Sequence, residues 1–407
     1  MKNSNYIKYA YMFLLLCLQC SVFGQDSWSQ KANFPDTRYG GCGFSIQGIG
    51  YTGLGWNPLP TGDFWSYDTI SDDWTRVADF PGPVRGDAVA FSIGKYAYVG
   101  TGLQRNSLKD FYKFDPKTNK WSTISDFGGS SRSQAASFTI DSFAYVGFGG
   151  GSSYLKDWWK YDPSNDSWSE IASFPSNERS RPTSFSIGGK GYIICGRDRT
   201  NFKTTTEVWE YDPIANFWTQ LQDFPGLERE GASGFVICNK GYLIGGSNYS
   251  HQSLNDCWEY DPKNDLWINI DSLPDTSRAV FSTFVIGSRG FIATGYNQKG
   301  SSPKYLSSFW EFTPDSSCNK IELSSVNGLL EKKINIFPNP FSESLKILNE
   351  SGQNLEIAIR DLSSRVIYQE QLITSTTINT SRFPKGMMIY TLKGERGVLK
   401  NGKLFKY

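Results

Sequence analysis

Residues Tyr161-Asp162-Pro163-Ser164-Asn165-Asp166-Ser167-Trp168 decide the fold, because the same phrase returns along the chain: an aromatic residue, an acid, a turn, then a tryptophan seven residues after the aromatic. It closes at Trp74, Trp121, Trp168, Trp218 and Trp267, with Trp28 one step upstream, and successive tryptophans lie 46, 47, 47, 50 and 49 residues apart. A period in this range marks one small sheet repeated around an axis.

The repeat at residues 85–127 serves as a template. Ala88-Val89-Ala90-Phe91-Ser92-Ile93 reads as a first strand, Gly94-Lys95 as a tight turn, and Tyr96-Ala97-Tyr98-Val99-Gly100 as a second strand. After a loop of varying length come a third strand, Asp110-Phe111-Tyr112-Lys113-Phe114-Asp115, and a fourth, Trp121-Ser122-Thr123-Ile124. Pro116 lies in the turn between them, where its missing amide hydrogen does no harm. The constant spacing of ring and tryptophan fixes one hairpin register. Large rings at equivalent places are what sheets need to pack about 10 Å apart, so core packing accounts for the repeat tryptophans without a ligand role.

With Asp157-Trp158-Trp159-Lys160-Tyr161-Asp162, the second-strand glycines Gly245-Gly246, and Trp four residues after Asp-Pro, residues 26–315 resemble a kelch-repeat β-propeller. Ser308 and Thr313 replace both acids of the last unit, and Glu207 replaces the first acid of the fourth. The expected fold is all-β: a six-bladed propeller over 25–315 followed by a small β-sandwich. The repeats begin near Arg38, Arg85, Arg132, Arg181, Arg229 and Arg278. In the sixth, the third strand Phe309-Trp310-Glu311-Phe312 is followed seven residues on by Asn319, so a fourth strand is lacking there. Trp28-Ser29-Gln30-Lys31-Ala32 is a spare fourth strand, expected to complete the last blade and leave no inner edge open.

Composition sets the outer limits. With 41 basic against 40 acidic residues the chain lacks the basic surface that nucleic-acid binding requires. Residues 1–24, basic at Lys2 and Lys8 and apolar from Tyr11 to Val22, read as a signal peptide cleaved before Gln25. No stretch reaches the roughly 18 to 20 apolar residues of a transmembrane helix. Lipidation at Cys17 or Cys20 is disfavoured, because Leu16 and Gln19 precede them where a small residue is wanted. Five cysteines then remain: Cys42, Cys195, Cys238, Cys257 and Cys318. Cys238 and Cys257, placed on the first and third strands of one sheet, are roughly 9.6 Å apart and too distant to pair. Buried free thiols are expected.

From Ile334 the texture changes to short alternating strands, Leu345-Lys346-Ile347-Leu348, Leu355-Glu356-Ile357-Ala358-Ile359, Arg365-Val366-Ile367-Tyr368 and Met388-Ile389-Tyr390-Thr391-Leu392, with residues 316–333 as linker. Phe337-Pro338-Asn339-Pro340, Ile359-Arg360-Asp361-Leu362, Lys385-Gly386 and Gly402-Lys403-Leu404-Phe405-Lys406 make residues 334–407 resemble the type A C-terminal sorting domain of the type IX secretion system. Ser364 and Met388 depart from its usual Gly and Tyr. The resemblance implies export to the outside or the outer cell surface, with the secretion machinery as a partner. An accessory sandwich that binds something else is the alternative.

If strands alternate up and down, the start of each first strand and the loop between second and third strands share one end of the ring. There Arg38, Arg85, Arg132, Arg181, Arg229 and Arg278 form the candidate ligand-binding set. The loops add Arg105, Lys109, Lys156, Arg197, Arg199, Lys203, Lys299 and Lys304, with Trp56, Tyr154, Phe202, Tyr249 and Tyr305 among them. Guanidinium forks take carboxylate or sulfate, and rings stack on sugars, so an anionic glycan or protein partner fits. Arginines so placed can equally bridge neighbouring blades. No catalytic residue, metal site or cofactor is expected. His251 is the only histidine, too few for a galactose-oxidase-like copper site, and Ser164-Asn165-Asp166-Ser167-Trp168 lacks the sialidase order. The alternative is a sugar-processing propeller such as a sialic-acid mutarotase or isomerase, with Arg229 and Glu228 or Glu230 as its candidate groups.

Overall fold

Alternation at period two, with one face apolar, makes each short segment a strand, and every regular element among the described residues is one. The computed structural model describes residues 27–298, 302–314, 334–337, 340–349, 354–361, 365–372, 374–394 and 397–407. The expected signal segment 1–24, the linker 316–333, Lys299 and Cys318 lie outside them. The chain divides into two compact units, Met1–Ser316 and Ser317–Tyr407.

In the first unit the described residues form six four-stranded antiparallel sheets. The first blade runs Cys42–Ile46, Ile49–Gly53, Phe64–Asp68 and Asp73–Arg76; the next four begin at Val89, Ala136, Thr183 and Ser233. The sixth takes Ser282–Ile286, Arg289–Ala293 and Phe309–Thr313 from the end of the unit, and Ser27–Lys31 from its start. Ser27–Lys31 pairs antiparallel with Phe309–Thr313, setting Trp28 opposite Phe312. Their rings lie 4.9 Å apart, matching Tyr161 and Trp168 at 4.9 Å in the third blade.

Each blade packs on the next by one rule. The middle residue of a first strand is a phenylalanine that lies against the second strand of the following blade, where only a small residue fits. A Cβ on Gly191 would stand 2.3 Å from the Phe138 ring, and one on Gly290 2.2 Å from Phe235. Ala97 and Ala144, fully buried, hold the same place in the second and third blades. The repeat tryptophans add a polar stitch: Trp74 donates to the Ala32 carbonyl at 3.0 Å, Trp121 to Ala78 at 2.9 Å, Trp218 to Ala172 at 2.9 Å, and Trp28 to Asp271 at 3.0 Å.

At the axis the sheets close through the backbone. Gly40 N–H donates to Val280 O at 2.9 Å, Asp87 to Gly40 at 2.8 Å, Gln134 to Asp87 at 3.1 Å, Arg181 to Gln134 at 3.0 Å, Gly231 to Arg181 at 2.9 Å and Val280 to Gly231 at 2.7 Å. All six hold left-handed φ between 49° and 66°. That costs little at glycine and roughly 1–2 kcal/mol elsewhere, which the cyclic hydrogen bonds offset. Below this ring runs an axial channel of about 170 Å³ lined by small residues such as Gly43, Ala90, Ser137 and Ser184.

Cys42 and Cys195 are buried free thiols, and Cys257 is buried as well. Cys238 departs from expectation: it is disulfide-bonded. It stands in the turn after Ser233–Ile237, half-buried, rather than inside a packed sheet.

The second unit holds a three-stranded sheet of Ile334–Phe337, Ser344–Asn349 and Thr376–Asn379, and a four-stranded one of Val366–Leu372, Leu355–Arg360, Gly386–Gly394 and Gly397–Lys406. Leu345, Ile347, Ile357, Ile359, Leu392 and Leu404 share its core. The Lys406 ammonium is buried and donates to the Thr380 and Phe383 carbonyls at 2.6 and 2.9 Å, tying the last strand to that turn.

Candidate functional site

The phrase that opens each blade reads Arg, then one variable residue, then the residue of the backbone ring. In that register the arginines are Arg38, Arg85, Arg132, Arg179, Arg229 and Arg278, all 0–2% exposed. Each is consumed by the fold. Arg38 grips Asp63 with two bonds of 2.9 and 3.0 Å, Arg85 grips Asp110 at 2.6 Å, Arg132 meets Asp157 at 2.7 Å, Arg179 meets Glu207 at 2.6 Å, and Arg229 grips Asp256 at 2.7 and 2.8 Å. Each guanidinium also donates to the carbonyl sixteen residues on, as Arg85 does to Thr101 at 2.8 Å, and five of them stack on a phenylalanine, as Arg132 does on Phe127 at 4.4 Å. In the sixth blade Ser308 has replaced the acid, and Asp275 supplies the carboxylate to Arg278 instead. Burial favours the neutral acids, but the guanidinium and hydrogen bonds more than offset it and hold Asp63, Asp157 and Asp256 below the usual aspartate range.

The expected binding set is therefore corrected. Arg38, Arg85, Arg132, Arg229 and Arg278 are structural pins within their blades, because each guanidinium is buried out of a ligand's reach and already held by a carboxylate and a backbone carbonyl. Arg229 is likewise unavailable to the expected catalytic pair. Arg181 is different. It occupies the ring position two residues after the pin Arg179, and its side chain extends over the axis.

Around that position the fold builds a cup. The residue before each ring position pairs with the loop between second and third strands of its own blade: Tyr39 with Trp56, Gly86 with Leu103, Ser133 with Gly150, Ser180 with Arg197, Glu230 with Ser247 and Ala279 with Tyr296. Mouth and loops thus share one end of the ring, as strand parity requires. Arg181 passes the intervening blade to reach Asp87 at 3.3 Å, and Arg197 approaches Glu230 at 3.4 Å. Arg199 donates to Ser180 at 2.7 Å and to Gln134 at 3.3 Å, and lies 4.2 Å over the Tyr154 ring. On the other side Tyr39 packs edge-on to Tyr296 at 5.6 Å and against Tyr305 at 4.9 Å. A cavity of about 210 Å³ remains, lined by Tyr39, Arg181, Tyr296, Gln298, Pro303 and Tyr305.

Its electrostatics follow from burial. Burial opposes the charge of Arg181, but Asp87 and Glu230 outweigh it and push its pKa up, so it stays cationic. Burial, Tyr305 and Asp87 push the Tyr39 phenol up against the opposing pull of Arg181, leaving a neutral donor. Among the described residues Arg181 Nε, Arg197 Nε and Glu230 Oε2 are buried with no hydrogen-bond partner. Of the loop residues named from sequence, Arg197, Arg199, Tyr154 and Tyr305 belong to this cluster. Lys109 pairs loosely with Asp126 at 3.6 Å, and Arg105, Lys156, Lys203 and Lys304 are exposed. Trp56 is taken up by packing against Gly86 and Gly40. Asp87, Gln134, Tyr39 and Tyr296 escaped the sequence reading, although their place one or two residues after the pin, or in the loop, is a usable signal. Among the described residues no group of three or more His, Cys, Asp or Glu is placed to hold a metal.

Comparison with known proteins agrees with this architecture. A kelch-repeats domain model, described for KLHDC2, KLHL20 and DRC7, matches residues 130–295, and a single kelch motif matches residues 93–128. The secretion system C-terminal sorting domain matches residues 335–405. No curated protein matches the chain. The solved structure titled "Structure of YjhT" is similar over 68% of this chain and 96% of that one, at 20% identity and a TM-score of 0.59, a likeness of fold.

Proposed function

This chain is a kelch-repeat β-propeller protein with a type IX C-terminal sorting domain, exported to the cell surface or outside, and on that footing we propose that it binds an anionic glycan whose carboxylate enters the axial cup. The observation that carries this reading is Arg181, a cation that lines the axial cavity beside three tyrosines and keeps its Nε buried without a protein partner, with Arg197 Nε and Glu230 Oε2 likewise unpartnered in the adjoining ion-pair cluster. Leaving such atoms unpaired costs about 1–3 kcal/mol each. A guest that offers acceptors to the two guanidiniums and a hydroxyl to the carboxylate removes that cost. An acid with neighbouring hydroxyl groups has both.

Charge and shape support the same guest. Three guanidiniums, Arg181, Arg197 and Arg199, face two carboxylates, Asp87 and Glu230, leaving one positive charge over. The three tyrosines form an amphipathic wall for a sugar ring's C–H face. At about 210 Å³ the cavity is smaller than a drug-sized pocket and suits a single ring.

Calorimetric titration of the propeller with glucuronate and galacturonate, against glucose and galactose, tests this reading. Saturable binding of the acids alone supports it; equal binding of the neutral sugars, or of neither, refutes it. A second reading rests on Glu230, whose free Oε2 could take and return a proton at an anomeric hydroxyl, making the cup a sugar isomerase or mutarotase site. Faster anomeric exchange in NMR, lost in Glu230→Gln, would favour it.

A further inference from the structure

Resting on the cup as the anion site, we propose that the guest is the end of an acidic polysaccharide, with Tyr154, Phe202 and Tyr249 as stacking platforms for the sugars behind the terminal one. These rings are 41%, 59% and 54% exposed. They stand in the loops between second and third strands of three consecutive blades, the third, fourth and fifth. Those loops are paired to the cup itself through Gly150 with Ser133, Arg197 with Ser180, and Ser247 with Glu230.

Two observations mark the arc as more than scattered surface rings. The Tyr154 ring is held flat by Arg199, which in turn bonds Ser180 and Gln134 at the mouth, so one stack continues into the cup. Phe202 is fixed at φ 56° while most of its ring faces solvent. A bulky side chain in that conformation is strained, and burial gives nothing back here; such strain persists where a site uses it. The loop of the second blade, Leu103 to Leu108, carries no ring at all, so the platforms lie on one side of the mouth. The tyrosine wall of the cup comes from the first and sixth blades, opposite them. Basic Lys156 and Lys203, both exposed, flank the arc and suit repeated carboxylates along a chain.

Calorimetric titration of the secreted chain with galacturonate, its disaccharide and its tetrasaccharide reads this out. The tetrasaccharide should bind about ten-fold or more tighter than the monosaccharide. Phe202→Ala combined with Tyr249→Ala should abolish that gain and leave monosaccharide affinity unchanged. A tetrasaccharide no tighter than the monosaccharide, or a gain that survives the double substitution, overturns the polysaccharide inference while the cup stands. Failure of every acidic sugar overturns both. An oligo-glutamate peptide that binds with the same dependence on Phe202 and Tyr249, in place of the oligosaccharides, assigns the arc to a protein tail and overturns the proposal.

Discussion

Arg181 Nη2 stands 3.3 Å from Asp87 Oδ2, an ion pair that links the fourth blade to the second over the mouth of the axial channel. Its side chain is 22% exposed, whereas the pin Arg179 two residues earlier is 1% exposed and locked to Glu207 at 2.6 Å. Two arginines of one tripeptide thus serve different ends.

This division predicts separable phenotypes. Arg85→Ala removes a wholly buried guanidinium and strands Asp110, which should cost about 3–5 kcal/mol in urea unfolding. Arg181→Ala leaves the backbone ring intact and should cost about 1–2 kcal/mol, mainly for Asp87 left unpaired. Equal losses would mean that the mouth, too, is structural.

Ring closure depends on the amino-terminal strand. Trp28→Ala removes the ring packed 4.9 Å from Phe312 and the bond to Asp271, and should lower stability by about 2–3 kcal/mol. A variant as stable as the parent in thermal and urea unfolding would show that Ser27–Lys31 is dispensable to the sixth blade.

Acid should unfold the propeller through its pins. Asp63, Asp157 and Asp256 have folded pKa values below the ordinary 3.8, so the unfolded chain takes up protons first as pH falls. Their contribution is complete above the unfolded value and is lost as pH drops through the lower folded values. Scanning calorimetry should therefore show a melting temperature maintained down to about pH 4 and falling below it. A fall centred between about pH 5 and 6 would point to another group.

Much of this fold was legible in sequence because its determinants are periodic and local. The seven-residue ring-to-tryptophan spacing encodes a hairpin, and the missing sixth tryptophan with a spare one upstream encodes closure. The site was harder. Arg179-Ser180-Arg181 offers two arginines to one slot, and spacing alone does not say which faces the axis. The discriminating signal was the acid: Arg38, Arg85 and Arg132 each lie 25 residues before their aspartate, and a constant offset between two recurring charges marks a pair made within each repeat. The cup residues do not recur, since each blade contributes a different side chain there, and periodicity is blind to what differs between repeats. Nor could spacing reveal that Asp275, from outside the third strand, would replace the acid lost at Ser308. Cys238 was misread because its place in a turn depends on where the strand ends, the least certain boundary in any sequence.

The most direct test sets Arg181→Ala beside Arg105→Ala, an exposed arginine on a neighbouring loop, and measures galacturonate affinity by calorimetry. With the cup as the binding site, Arg181→Ala loses about ten- to a hundred-fold in affinity and Arg105→Ala keeps the parent value. Loss of binding in Arg105→Ala with Arg181→Ala unaffected would place recognition on the outer loops and contradict the axial site.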